Sequence, residues 1–165
     1  MKKLALVSAL AVAAASPLFA GSALAATAQG TATATVIAPI TLTHTSGAAL
    51  AFGSFTAGTG GTVAVNSAGV GSKTGGVVLV AGSTNTADAF TVGGDASRAF
   101  TIATTGSTVT SGSNSMSFTT AASSTTGSLS SSGAASFTVG GTLTVAANQA
   151  AGSYTGSYDA TVTYN

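Results

Sequence analysis

The chain has 165 residues, of which 45% are hydrophobic, and it carries four lysines and arginines against three acidic residues, for a formal net charge of +1. This balance excludes the basic surface that nucleic acid requires. The apolar content also excludes disorder, which combines low hydrophobicity with high charge. With no cysteine, packing and main-chain hydrogen bonds must stabilise the fold, and the length suffices for one domain with a core.

Residues 1–25 have the pattern of a secretory signal peptide. Two lysines precede an apolar run from Leu4 to Ala15, and Ala23-Leu24-Ala25 offers a small-x-small cleavage site. The run is shorter than the roughly 20 residues that span a bilayer. We therefore expect a mature chain from Ala26 that is exported to the periplasm, cell surface or medium, without a transmembrane segment. It keeps two cations and three carboxylates, a formal net charge of −1.

The mature chain opens on a regular alternation that predicts a strand from Thr31 to Thr45. Ala32, Ala34 and Val36 share one phase, while threonine dominates the other. Side chains alternate between the two faces of a strand, so one face is apolar and the other hydroxylated. Pro39 lacks an N–H and marks a point where the segment can leave one sheet and enter another.

Short alternating segments between Gly- and Ser-rich turns follow along the rest of the chain. The further predicted strands are Leu50–Phe55, Gly61–Asn66, Gly76–Val80, Ala89–Gly93, Ala99–Ala103, Ser115–Thr120, Ser136–Val139, Gly141–Val145 and Tyr154–Tyr164. This spacing is typical of an all-β sandwich or barrel. The repeated "FTVGG", at Phe90 and Phe137, predicts two strands that leave the core by Gly-Gly turns. Residues 123–135 are expected to form a loop or a weak edge strand.

Candidate catalytic or ligating residues are few, and each has a simpler structural interpretation. His44 is the single histidine, too little for a metal site, and is expected to be a strand-end residue under a loop. Asp88 and Asp95 flank a predicted strand, where aspartate commonly serves a turn. "GVGSKTGG", residues 69–76, lacks the glycine before lysine that a phosphate-binding loop requires. We expect no catalytic residue, cofactor or metal site.

Three tyrosines lie on one phase of the last predicted strand. Tyr154, Tyr158 and Tyr164 share this phase with Val162. Aromatic residues in a final strand commonly fill a core or cover an edge, and exposed ones can bind sugar. We expect this phase to be an acceptor or last-strand face.

Four stretches resemble a bacterial secreted family, domain of unknown function 4402: "ATATVIAPI" from Ala32, "LAFGSF" from Leu50, "FTVGGTLTV" from Phe137 and "AGSYTGSYDATVTYN" from Ala151. That family is in turn similar to spore coat protein U and to archaic chaperone-usher pilins. The resemblance implies an incomplete immunoglobulin-like sandwich, completed by a strand from a neighbour, and a periplasmic chaperone as a partner. The pilin relatives usually carry a cysteine pair, and this chain has none.

The resemblance maps the donated strand onto residues 26–37 and one β-sandwich domain onto residues 38–165. Ala32, Ala34 and Val36 are then the expected donation interface. Strand addition takes its affinity from main-chain hydrogen bonds and its register from alternate side chains. Burying Val36 contributes about 1.5–3 kcal/mol and each alanine much less, so the main-chain ladder must contribute heavily.

Three functions follow, in order of preference. The first is a non-enzymatic, pilin-like or coat-like surface protein that assembles with itself or related subunits. The second is a secreted monomer whose loops bind a glycan or another surface ligand, for which Tyr154 and Tyr158 are candidates. The third is a hydrolase using His44 or Asp95.

Overall fold

A computed structural model describes residues 24–165, so all but the last two residues of the expected signal peptide lie outside the described residues. The chain divides into two units, Met1–Thr35 and Val36–Asn165. In the first unit, the described residues 24–35 form neither helix nor strand. Within residues 24–165 there is no helix of the length and hydropathy needed to cross a bilayer.

The second unit is built from twelve β-strands, and every strand pairing in it is antiparallel. The strands are β1 (Thr41–His44), β2 (Phe55–Thr56), β3 (Gly61–Val65), β4 (Gly71–Gly75), β5 (Val78–Leu79), β6 (Asp88–Gly93), β7 (Ala99–Thr105), β8 (Ser107–Ser111), β9 (Asn114–Ala122), β10 (Thr126–Ser128), β11 (Ala134–Val145) and β12 (Asp159–Tyr164).

The larger sheet is organised around the long strand β11. Its first half pairs with β6, its last five residues pair with β3, and β9 pairs with its middle. β1 extends the sheet beyond β6, β4 extends it beyond β3, and β8 extends it beyond β9. A smaller sheet has the order β10-β7-β12, and β2 pairs with β5.

The two main sheets pack face to face and enclose one of two hydrophobic clusters. Val92, Phe137 and Val139 of the larger sheet meet Phe100 and Ile102 of the smaller one. Each fully buried side chain of this size contributes about 1.5–3 kcal/mol. The all-β sandwich expected from the sequence is confirmed.

Gly140 and Gly141 correct one of the two Gly-Gly predictions. They lie inside β11 rather than at a turn, at the point where its partner changes from β6 to β3. A Cβ on Gly140 would lie 2.3 Å from the Val65 carbonyl oxygen, and one on Gly141 would lie 2.6 Å from that of Thr119. These glycines therefore allow neighbouring backbones to approach, whereas the first pair ends β6 as predicted.

The first predicted strand is shorter in the structure than the alternation suggests. β1 pairs with β6 through Thr41–Gly93 to His44–Phe90, and residues 24–40 belong to no strand of this chain. A strand requires a neighbouring edge for its main-chain groups, and the ladder with β6 begins at Thr41. Residues 31–37, which carry the alternation, thus take part in no strand ladder within the described chain.

Candidate functional site

An open groove of about 1210 Å³ lies in the second unit, between two ten-residue segments. We call residues 48–57 the early wall and residues 149–158 the late wall. The floor is formed by side chains of the larger sheet: Phe90, Val109, Met116, Phe118 and Leu143. The groove therefore lies on the second hydrophobic cluster, at a place where no strand of the smaller sheet covers the larger one.

The late wall directly precedes β12 in the chain. β12 pairs with β7, and the late wall extends this pairing onto β8. Thr155 pairs with Thr110 through two main-chain hydrogen bonds of 2.8 and 3.1 Å. The register of this pair is shifted by one residue from that of the β7–β12 ladder, as a β-bulge would shift it. A Cβ on Gly156 would lie 2.2 Å from the Thr108 carbonyl oxygen, so the late wall fits tightly against β8 on its outer side.

The early wall is likewise held on its outer side, by residues 85 and 86. Ala51 and Thr86 exchange main-chain hydrogen bonds of 2.9 and 3.1 Å, and the Asn85 side-chain amide donates to the Phe52 carbonyl at 2.7 Å. Among the described residues, no main-chain hydrogen bond joins the two walls. Each wall thus has a paired outer edge and presents its other edge to the groove.

Both ends of the groove bring the two walls together. At one end the Asn148 amide, next to the late wall, donates to the Gly58 carbonyl, next to the early wall, at 3.1 Å. At the other end His44 precedes the early wall and Tyr158 ends the late wall, and both contact Asp88. The walls therefore run in opposite directions along a groove with two defined ends.

Aromatic rings line the groove from one wall to the other. Phe52 of the early wall meets Phe118 edge to face, with ring centroids 6.0 Å apart. Tyr158 of the late wall makes the same kind of contact with Phe118 and Phe90, at 6.2 and 6.3 Å. Such pairs contribute about 0.5–1.5 kcal/mol beyond the area they bury, so the rings hold both walls against the floor.

A polar cluster closes the end of the groove beside β1. His44 Nε2 lies 2.7 Å from Asp88 Oδ1, and the Tyr158 hydroxyl donates to Asp88 Oδ2 at 2.7 Å. Asp88 is only 5% exposed and also accepts from the Ala89 amide. Burial raises the pKa of Tyr158 well above its ordinary value. The hydrogen bond to Asp88 and the negative charge of Asp88 raise the pKa further. Tyr158 therefore acts as a neutral donor.

A family model described as a domain of unknown function (DUF4402) matches residues 40–164, about three quarters of the chain. The chain belongs to this family. No curated protein and no solved structure is significantly similar to it. The DUF4402 match begins at Ile40 and so covers β1, both walls and β12, while residues 26–37 precede it.

The DUF4402 domain separates the tyrosines that the sequence placed on one face. Tyr154 and Tyr158 line the groove, whereas Val162 and Tyr164 pack in the cluster between the two main sheets. The Tyr164 hydroxyl accepts from the Asp95 amide at 2.6 Å and donates to the Ala38 carbonyl at 3.1 Å. Tyr164 thus fixes the chain at Ala38, two residues before the matched domain begins at Ile40.

The expected donation residues precede the strands of the DUF4402 domain. Ala32 and Ala34 lie in the described part of the first unit, and Val36 opens the second with 97% of its surface exposed. An isolated valine on a surface is ordinary. Val36 differs from such an isolated valine because it lies on the same phase of the alternation as Ala32 and Ala34.

The remaining candidates for chemistry have structural partners. Asp95 accepts from the Arg98 guanidinium at 2.8 Å, and residues 71–75 form the edge strand β4. In residues 24–165 no group of three or more histidine or acidic side chains could hold a metal. Sequence reasoning missed the contacts of His44 and Tyr158 with Asp88, because 44 and 70 residues separate them from Asp88 in the chain and no local pattern reports such a contact.

The Tyr158 pKa predicts a loss of stability at alkaline pH. Above about pH 10 the unfolded chain releases this proton and the folded chain keeps it, so the free energy of unfolding falls by up to about 1.4 kcal/mol per pH unit. Tyr158→Phe removes this contribution. Urea unfolding of both proteins between pH 8 and 11 should show their stabilities converging as pH rises. A difference that stays constant would contradict the assignment.

Proposed function

We propose that this chain is an exported, non-enzymatic structural subunit, pilin-like or coat-like, that assembles by giving residues 26–37 to the groove of the next copy. The observation that carries the proposal is the pair of walls, each hydrogen-bonded on its outer side and facing the groove with its other edge. A strand laid between two such edges gains main-chain hydrogen bonds on both sides. The resemblance that the sequence motifs suggest to pilins and to spore coat protein U points to the same function.

The dimensions of the groove suit one strand. Ten residues of wall correspond to about 33 Å of extended chain, and residues 26–37 reach about 40 Å.

The point where the chain enters the domain favours insertion into another molecule. Tyr164 holds Ala38, and the chain then follows β1 to His44 at one end of the groove. To enter the groove of its own domain, the segment before Ala38 would have to run back about 20 Å to that end. This distance is half the reach of residues 26–37. Insertion into a neighbour uses the whole segment, and a head-to-tail contact of this kind generates open filaments.

The charges of the domain do not oppose such an assembly. His44 and Asp88 are the titratable groups lining the groove apart from its two tyrosines, and they contact each other. Few surface charges keep copies apart. Before assembly, a periplasmic chaperone is the class of partner that would cover the open wall edges.

Sedimentation of the purified chain from Ala26 tests the proposal. We expect large, concentration-dependent assemblies, and a folded monomer when residues 26–37 are removed. A full chain that stays monomeric at high concentration would overturn the proposal. Saturable binding of that monomer to a glycan, lost in Tyr154→Ala, would instead establish the sugar-binding function.

A further inference from the structure

We infer that the groove selects a strand with short side chains on its inward phase, so that Ala32 and Ala34 determine specificity. The inference rests on the proposed function and specifies which kind of segment the groove accepts. That segment is the alternating alanine and threonine stretch of a second copy, rather than one with bulky apolar residues.

Three of the five floor side chains are covered before any strand arrives, while Phe90 and Val109 are partly exposed. Met116, Phe118 and Leu143 are 5%, 6% and 2% exposed in the single chain. Partly buried side chains of the two walls, including Phe52 and Tyr158, pack against them. Above these three residues, an inserted strand therefore meets the wall side chains rather than empty pockets in the floor.

Gly141 shows how closely the early wall approaches the floor. A Cβ on this residue of β11 would lie 2.9 Å from Leu50 Cδ2 and 3.4 Å from Phe52 Cζ. Both wall side chains thus rest almost directly on the backbone of the central strand. The groove is long between its walls but shallow towards its floor, which limits the inward side chains of an occupant.

The donated segment has the composition that such a groove requires. Threonine and alanine alternate in Thr31–Thr35. Each alanine adds only one methyl group towards the floor, and the threonines lie on the opposite phase. Threonine is β-branched and favours the extended conformation. The free main-chain groups at the two wall edges then supply hydrogen bonds that do not depend on side-chain size.

Ala34→Leu, in the full chain from Ala26, tests the inference. Thr33→Leu is the matched control, because it adds a leucine of the same size on the opposite phase. Inserting extra methylenes into a packed site costs enough to weaken assembly by on the order of tenfold or more. We expect that loss for Ala34→Leu and near-normal assembly for Thr33→Leu, measured by sedimentation. Restored assembly of Ala34→Leu in a chain that also carries Tyr154→Ala or Phe52→Ala would locate the clash.

Each result decides between the inference and its alternatives. If the unmodified chain assembles and Ala34→Leu assembles as well or better, the size selection is wrong while strand donation stands. If Ala34→Leu and Thr33→Leu weaken assembly equally, bulk in the segment matters without regard to phase, and the inference is again wrong. If the unmodified chain does not assemble at all, the proposed function itself is overturned.

Discussion

Val36→Asp is expected to abolish assembly while leaving the domain folded. Val36 is 97% exposed in the single chain, so the change removes no packing from the monomer. In the groove of a neighbour, the new carboxylate would lie against apolar and aromatic side chains, including Phe52 and Tyr158 of the walls. An unpaired buried charge costs several kcal/mol, and the contribution of the valine, about 1.5–3 kcal/mol, is lost as well. The affinity between copies should fall more than about 1000-fold.

Thr35→Asp is the matched control for this prediction. It adds the same charge one residue away, on the phase that faces outward from the groove, where water can solvate it. We expect its affinity to fall less than about tenfold in the same sedimentation measurement. Equal losses for the two variants would show that charge repulsion, rather than burial of one phase, opposes assembly.

Asp88→Ala is expected to destabilise the domain by about 1–3 kcal/mol, because it leaves partly buried polar groups without a partner. Asp88 accepts hydrogen bonds from Tyr158 and from the Ala89 amide, and His44 Nε2 lies within hydrogen-bonding distance of it. Removing the carboxylate also removes the cost of burying its charge. That gain is smaller, because these groups already compensate the charge. Urea unfolding at pH 7 measures the loss.

Asp159→Ala is the control for Asp88→Ala, since Asp159 is an exposed aspartate next to Tyr158. We expect it to change stability by no more than about 0.5 kcal/mol. In the double variant Asp88→Ala with Tyr158→Phe, the two losses should be less than additive because the residues share one hydrogen bond. Full additivity, or an Asp88→Ala variant as stable as the unmodified chain, would refute the role of the cluster.

Strands that carry two bulky side chains at alternate positions could be predicted from the sequence. Val63 with Val65, Phe100 with Ile102, and Met116 with Phe118 are all buried, and their strands lie where the alternation placed them. Burial on one face of a sheet produces this two-residue period directly. The expected weak edge strand in residues 123–135 is β10, next to which Leu129 is buried.

Strands stabilised by their neighbours rather than by their own apolar residues could not be predicted. β4 has the sequence GSKTG and β8 the sequence STVTS. β4 is held by its ladder to β3, and β8 by its ladder to β9 and its bridge to Thr155. The groove escaped sequence reasoning for a related reason. Its walls are irregular segments about 100 residues apart in the chain, brought together by the pairing of β6, β9 and β11.

Cysteine crosslinking tests strand donation most directly, because the chain contains no cysteine of its own. One population carries Ala34→Cys, and a second, isotopically heavy population carries Ser54→Cys, Ser153→Cys or Ser157→Cys in a wall. In mixed, intact assemblies we expect a disulfide between position 34 of one molecule and a wall of another. If no mixed bond forms, and double variants link position 34 to a wall only within single molecules, the account is contradicted.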